Sequence, residues 1–293
     1  MKIRTIAFVG LGRMGRPMAA RLAAAGYALR VYDKSVRARI PGATACTSAA
    51  QAANGAAVLI TMLPDGKAVR SALLGRNGAA PTLEPKSIVI DMSSSDPMAT
   101  RALGAELAAR GIELLDAPVS GRVDGARAGT LTIMAGGKSA TLKKVRPVLE
   151  VFGKKIFLAG PLGAGHAVKA LNNSIAAAGT IAAFEAVIVG RAFGLDPALM
   201  TEIFNASAGR NSTTENKVKQ HVLSGSFASG FALALMAKDV GIAAGLARSL
   251  GVDAQLTRKT RDLWRAARGE LPDHADHTEI YRYLERGKRV PRR

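Results

Sequence analysis

Apolar runs of strand length recur through the first half of the chain: TIAFVG at 5–10, LRVYD at 29–33, AVLITML at 57–63, SIVIDMS at 87–93, IELLDAPV at 112–119, TLTIMAGG at 130–137 and KKIFLAG at 154–160. Most are continuous rather than alternating, which predicts strands covered on both faces. Helix-like stretches separate most of them. Strands that alternate with helices predict a mostly parallel, doubly wound sheet. After about Gly160 no further strand is predicted. The segment 165–194 is apolar or small throughout, broken by Lys169, Asn172, Asn173, Glu185 and Arg191. Its length would cross a bilayer, but those polar residues make lipid exposure costly. The expectation is a long central helix enclosed by protein on most sides. Helical patterns follow at 196–207, 212–223, 230–250, 253–268 and 276–287. The chain thus reads as an α/β domain over 1–162 and an all-helical domain over 163–293.

Composition narrows the class. The chain has 293 residues, 48% hydrophobic and 22% charged, as a globular protein does. Its single cysteine, Cys46, cannot form an internal disulfide, which points to a reducing, cytoplasmic setting. The opening MKIRTIAFVGLG has the basic-then-apolar order of a signal peptide. Its apolar run is too short, however, and leads into a glycine motif rather than a cleavage site. The formal net charge of +19 raises nucleic acid as a partner. The basic residues are scattered except in the tail RGKRVPRR at 286–293, and no zinc-finger or aromatic-basic pattern interleaves with them. The charge is read instead as a surface that attracts small anions, with no nucleic acid and no membrane expected.

Gly10-Leu11-Gly12-Arg13-Met14-Gly15 is a GxGxxG motif between a predicted strand at Thr5–Val9 and a predicted helix at Met14–Ala25. A second strand ends at Asp33, near the spacing of about 20 residues at which a dinucleotide fingerprint places its acidic residue. Gly10 permits the tight turn, Gly12 lets a pyrophosphate approach the backbone, and Gly15 lets helix and strand pack closely. The helix N-terminus offers amides and partial positive charge to phosphate. Asp33 would accept hydrogen bonds from ribose hydroxyls and repel a 2′-phosphate, favouring NAD over NADP. Lys34, Arg37 and Arg39 are basic neighbours that would offset that repulsion.

No metal chemistry is legible: the four histidines (His166, His221, His274, His277) lie outside any Cys/His cluster or HExxH. A histidine base remains open at His166 or His277, each also readable as a satisfied structural residue. Lys169 is the stronger candidate, four residues before Asn173 and so on the same helix face. A lysine in an apolar helix needs a partner or a role; partial burial would lower its pKa and suit acid/base work. The competing reading is a snorkelling lysine beside an asparagine that bonds neighbouring helices.

Four segments together resemble the β-hydroxyacid dehydrogenases, the family of 3-hydroxyisobutyrate dehydrogenase and tartronate semialdehyde reductase. They are GLGRMGRPMA at 10–19, DAPVSGRVDGARAGTLTIMAGG at 116–137, GAGHAVKALNN at 163–173 and KDVGIA at 238–243. The resemblance spans nearly the whole chain. It implies a Rossmann domain joined by the central helix to a helical domain, and a homodimer or homotetramer built through the latter. It implies oxidation of a small hydroxy acid to its semialdehyde, or the reverse. Lys169 looks like the family's catalytic lysine, Asn173 like its substrate asparagine, and Ser120 and Gly121 like its substrate-carboxylate loop. Leu63 and Pro64 resemble the loop beside the cofactor. Ser94 stands where the family usually has threonine near the nicotinamide, and Lys238, followed by Asp239, matches a lysine on the cofactor side. One departure stands out: the family usually reads SGG where this chain has Ser120-Gly121-Arg122. A guanidinium there could clasp the acidic group of the substrate bidentately, or point to solvent and change nothing; either way the departure leaves the substrate open. Imine reductases, non-catalytic dinucleotide-binding modules and 6-phosphogluconate-type dehydrogenases share the architecture. Lys169 argues against the first two and chain length against the third.

Overall fold

In the computed structural model, residues 3–35 and 39–287 are described. Arg37 and the part of the basic tail from Lys288 onward lie outside them. The chain divides into two compact units, Met1–Lys169 and Ala170–Arg293.

The first unit runs β1 (Thr5–Val9), α1 (Gly15–Ala24), β2 (Ala28–Tyr32), β3 (Ala43–Ala45), α2 (Ala49–Ala53), β4 (Val58–Thr61), α3 (Gly66–Leu74), β5 (Ile88–Asp91), α4 (Pro97–Ala108), β6 (Glu113–Asp116), β7 (Val119–Ser120), α5 (Arg122–Ala128), β8 (Thr132–Gly136), α6 (Ser139–Leu149) and β9 (Lys155–Gly160). One sheet joins all nine strands in the order β3-β2-β1-β4-β5-β6-β8-β7, with β9 on β8. The first six pair in parallel, whereas β8 runs antiparallel to β6 and β7. The order 3-2-1-4-5-6 is that of a dinucleotide-binding sheet, whose ligand crevice lies beyond the carboxyl ends of the strands where the winding reverses, between β1 and β4.

The apolar runs have a simple cause. Along β1, Ile6 and Phe8 enter one core, and Ala7 and Val9 enter another on the opposite face. Along β5, Ile88 and Ile90 face the first core and Val89 the second. Side chains alternate, but both faces are covered, so every position is apolar. Two strands went unpredicted. β3 is three residues long and mostly exposed, so it carries no burial signal. The run at 112–119 is two strands, because Pro118 cannot donate to a ladder.

The second unit is helical. A long helix, α7 (Ala164–Phe193), begins in the first unit, and α8 (Pro197–Ala206), α9 (Ser212–Asn216), α10 (Leu233–Ser249), α11 (Gln255–Glu270) and α12 (Ile280–Arg286) follow. Its core gathers Phe184, Trp264 and Tyr281, the first and last in an edge-to-face pair at 5.5 Å. The helix expected at 212–223 breaks at Lys217 and continues as a π-helical segment, Val218–Leu223. A second difference concerns α7. It is long and apolar enough to cross a membrane, yet only 39% of its most apolar window is buried. Ile175 is 77% exposed and Phe193 83%. The expected enclosure on most sides is therefore wrong: α7 gives one face to the core through Ala177, Phe184 and Val187 and leaves an apolar face uncovered.

Candidate active site

The candidate residues of the first unit gather at one edge of the sheet. The loop Gly10–Gly15 follows β1, Asp33 follows β2, Leu63 and Pro64 follow β4, Ser94 follows β5, and Ser120–Arg122 lie beyond β6. In parallel strands all of these are carboxyl ends, where such sheets bind ligands.

The glycine loop is shaped as the sequence demands. Gly10 has φ +101°, and a Cβ there would stand 2.3 Å from the Met62 carbonyl oxygen. A Cβ on Gly15 would meet the Gly10 carbonyl oxygen at 1.9 Å. At Gly12, by contrast, a Cβ would meet nothing within 4 Å. Two glycines thus close the turn and the third leaves its outer side open, the space a pyrophosphate needs. No side chain caps α1, so no side chain competes for that space at the positive end of the helix. Leu11 is buried, Met14 half-buried and Arg13 exposed. Asp33 accepts from the Leu11 amide at 2.6 Å through Oδ2 and from the Ser35 amide at 2.7 Å through Oδ1. Its carboxylate therefore fixes the glycine loop from the end of β2, the position at which a dinucleotide-binding sheet places its acidic residue. These features fit a bound dinucleotide.

Lys169 is 9% exposed, on the second turn of α7. The helix start is held by Asp116, whose oxygens accept from the Gly163 and His166 amides at 2.7 Å each. That carboxylate satisfies two helix-terminal donors and lies at the positive end of the helix dipole. His166 is buried, with its ring bonded to Ser93 and Thr100. His277 is also buried and bonded, to Ser229 and the Phe231 carbonyl. Beside it Asp276 is half-buried. Burial works against its charge, but hydrogen bonds from His277, Thr278 and Ser229 outweigh that and hold its carboxyl well below the usual range.

The DAPVSG segment ends in unusual backbone. Gly121 has φ +135° and Arg122, just after it, φ +58°. A non-glycine residue in the left-handed region is uncommon and strained. Arg122 starts α5 on the exposed side, and Ser120 is half-buried.

In the second unit, Asn173 and Lys238 are brought together by Asp239. Asn173 Nδ2 donates to Asp239 Oδ2 at 2.6 Å, and Lys238 Nζ stands 3.5 Å from Asp239 Oδ1. That Oδ1 is buried and accepts no hydrogen bond, so the ion pair is its main compensation. Sequence reasoning named Asp239 only as the neighbour of Lys238. An acidic residue next to a lysine on an otherwise apolar helix was the available signal. Among the described residues no group of three or more His, Cys, Asp or Glu could hold a metal.

Two family models match end to end. Residues 5–160 match the NAD binding domain of 6-phosphogluconate dehydrogenase, and residues 163–284 match the NAD-binding domain of NADP-dependent 3-hydroxyisobutyrate dehydrogenase. The chain is 37% identical over 284 residues to 2-(hydroxymethyl)glutarate dehydrogenase of Eubacterium barkeri, covering 96% of this chain and 94% of that protein. It is 39% identical over 269 residues to 3-hydroxyisobutyrate dehydrogenase of Pseudomonas aeruginosa, covering 88% and 90%. The chain belongs to the β-hydroxyacid dehydrogenase family. A solved 3-hydroxyisobutyrate dehydrogenase from Mycobacterium tuberculosis, with L-serine, superposes with a TM-score of 0.87 at 34% identity, covering 96% of this chain and 99% of that one. This β-hydroxyacid dehydrogenase is therefore an NAD-binding oxidoreductase of small hydroxy acids or their semialdehydes.

Proposed function

We propose that the enzyme interconverts a small β-hydroxy acid and its semialdehyde with Lys169 as the acid/base. Bound NAD would supply the hydride acceptor, held by Gly10–Gly15, Asp33, Leu63, Pro64 and Ser94. In oxidation the Lys169 amine takes the proton of the substrate hydroxyl; in reduction the ammonium returns it to the carbonyl oxygen. Amides of Ser120 and Gly121 hold the substrate carboxylate, and Asn173, one helical turn beyond Lys169, orients the hydroxyl. Such orientation contributes several kcal/mol and acid/base catalysis about 10²–10⁴-fold. The observation that carries this reading is the placement of Lys169. It is a buried lysine on the turn that follows a carboxylate-held helix start, in the same unit as the open glycine loop.

The same reading makes 1–162 the dinucleotide domain and 163–293 the helical domain. It makes the protein a cytoplasmic homodimer or homotetramer assembled through the apolar face that α7 leaves uncovered. NAD is the preferred cofactor, because Asp33 stands where a 2′-phosphate would meet a carboxylate. Arg122 selects substrates with a second acidic group. A relative named for a dicarboxylate, 2-(hydroxymethyl)glutarate, supports this, as does the backbone strain tolerated to keep a cation at that turn. The test is a panel of hydroxy acids and semialdehydes, singly and doubly charged, with NAD and NADP, followed by nicotinamide absorbance. Turnover of a hydroxy acid with higher kcat/KM for NAD supports the reading; no turnover of any of them refutes it.

A further inference from the structure

Two buried carboxylates lie side by side at the carboxyl edge of the sheet. Asp91 ends β5, Asp116 ends β6, and they are register partners. Asp91 accepts from Thr61 Oγ1 at 2.8 Å, the Ser93 amide at 3.0 Å and Ser95 Oγ at 3.0 Å. Asp116 accepts from the first amides of α7. Over both sits the ring of His166, 1% exposed, with Nε2 3.6 Å from Asp91 Oδ2 and Nδ1 3.9 Å from Asp116 Oδ2. The imidazole thus stands within 4 Å of both carboxylates. Its direct bonds go elsewhere. Nε2 donates to the Ser93 carbonyl at 3.0 Å, since a carbonyl can only accept, and Nδ1 lies 2.8 Å from Thr100 Oγ1. Ser93 in turn accepts from the Leu63 amide at 2.9 Å through its hydroxyl.

The network therefore joins, through side chains wholly inside the first unit, the loop carrying Leu63 and Pro64, the loop carrying Ser94, the DAPVSG segment and the first turn of α7. Lys169 is the residue three positions after His166, on the neighbouring turn of the same face. Helix formation does not need this ring, because Asp116 already satisfies the helix start. Nor is His166 part of the apolar cores on either side of the sheet. Its two bonds from the side of the helix fix something narrower: the rotation and height of the first turn against the 92–95 loop.

We propose that His166 is a positioning residue for hydride transfer, holding the Lys169 amine in register with the Ser94 loop through Ser93 and Thr100. The inference rests on Lys169 being the acid/base. A displacement of that amine by about 1 Å is enough to cost roughly 10²-fold in rate.

The experiment compares His166→Leu, His166→Gln and Thr100→Val in the full-length enzyme. The readouts are kcat, substrate KM, NAD affinity by calorimetry and the primary deuterium isotope effect on kcat. His166→Leu is expected to lose about 10²-fold in kcat with an isotope effect larger than wild type, as the chemical step becomes limiting. NAD affinity should stay within about threefold, well under the tenfold that 1.4 kcal/mol represents. Glutamine offers a donor to Ser93 and an acceptor to Thr100, so His166→Gln should recover most of the loss. Thr100→Val, which keeps the shape and removes one partner, should lie between wild type and His166→Leu. Wild-type kcat in both His166→Leu and Thr100→Val overturns the inference, as does equal impairment of the leucine and glutamine variants. Should His166→Leu not fold, Thr100→Val and His166→Gln decide the matter on the same readouts. A double mutant with Lys169→Ala separates the two layers of the argument. An active Lys169→Ala enzyme overturns the acid/base reading and this inference together. A crippled one that loses a further 10²-fold or so on adding His166→Leu overturns this inference alone. A crippled one that loses nothing further supports both.

Discussion

The substitution Gly12→Val separates folding from cofactor binding, and the structure sets both magnitudes. A Cβ at position 12 meets no atom within 4 Å, and Gly12 is not among the positive-φ glycines, so an L side chain fits without strain. The cost to the apo protein should be that of an ordinary surface change, within about 0.5 kcal/mol. The open space is also the proposed seat of the pyrophosphate, and a branched side chain would fill it. Wild-type enzyme at an NAD concentration of about 100 Kd gains roughly 2.7 kcal/mol of stability from ligand. For a chain of this size that corresponds to a rise of about 4 °C in Tm. The variant should melt within about 1 °C of wild type without NAD and show no rise with it. Gly15→Ala is the contrasting control: its Cβ would lie 1.9 Å from the Gly10 carbonyl oxygen, so the backbone must move and the apo protein itself should lose stability. Thermal melts of the three proteins, with and without NAD, make the test. An NAD-induced rise in Gly12→Val equal to wild type would refute the placement of the phosphates.

Other outcomes follow from single sites. Arg122→Gly should lower kcat/KM for dicarboxylate or sulfonate substrates by about tenfold or more while sparing 3-hydroxyisobutyrate, since a lost charge-assisted contact costs roughly 1.5–3 kcal/mol; equal effects on both classes would show a guanidinium that faces solvent. Asp276→Asn should cost about 1–3 kcal/mol in urea unfolding at pH 7, because its carboxylate accepts from Ser229, Gly230, Phe231 and Thr278. The folded-state pKa of Asp276 is depressed, so its stabilisation is complete above the unfolded carboxylate value of about 3.9 and fades as pH falls through the folded value. The gap between wild type and Asp276→Asn should therefore narrow below about pH 4; a gap that stays constant down to acid unfolding would contradict this.

Much of the sheet was legible because its strands are buried on both faces. Residues such as Ile6-Ala7-Phe8-Val9 cannot be polar anywhere, and that leaves a continuous apolar run. The glycine loop was legible because its glycines answer to backbone clashes that no other residue could relieve. What escaped the sequence depends on partners distant along the chain. β3 is too short and exposed to mark itself, and the apolar face of α7 looked like core because composition does not say which face finds a neighbour. The pairing of Asn173 with Asp239 crosses 66 positions, and the bridge from His166 to Ser93 crosses 73. Asp91 and Asp116 each end an apolar strand run, SIVID and IELLD, and two carboxylates in such places were the one trace of the buried network.

The central claim is that Lys169 moves the proton. Lys169→Ala and Lys169→Arg, each checked by circular dichroism, test it through steady-state kcat and NAD affinity. Both variants should bind NAD nearly as wild type does, because the proposed seat of the phosphates is the glycine loop. Both should lose about 10²–10⁴-fold in kcat, the arginine variant because a guanidinium stays protonated near neutral pH and cannot accept the substrate proton. A folded Lys169→Arg enzyme that turns over at close to the wild-type rate would contradict the account, since only a structural lysine, needed for its stem and charge, survives that exchange.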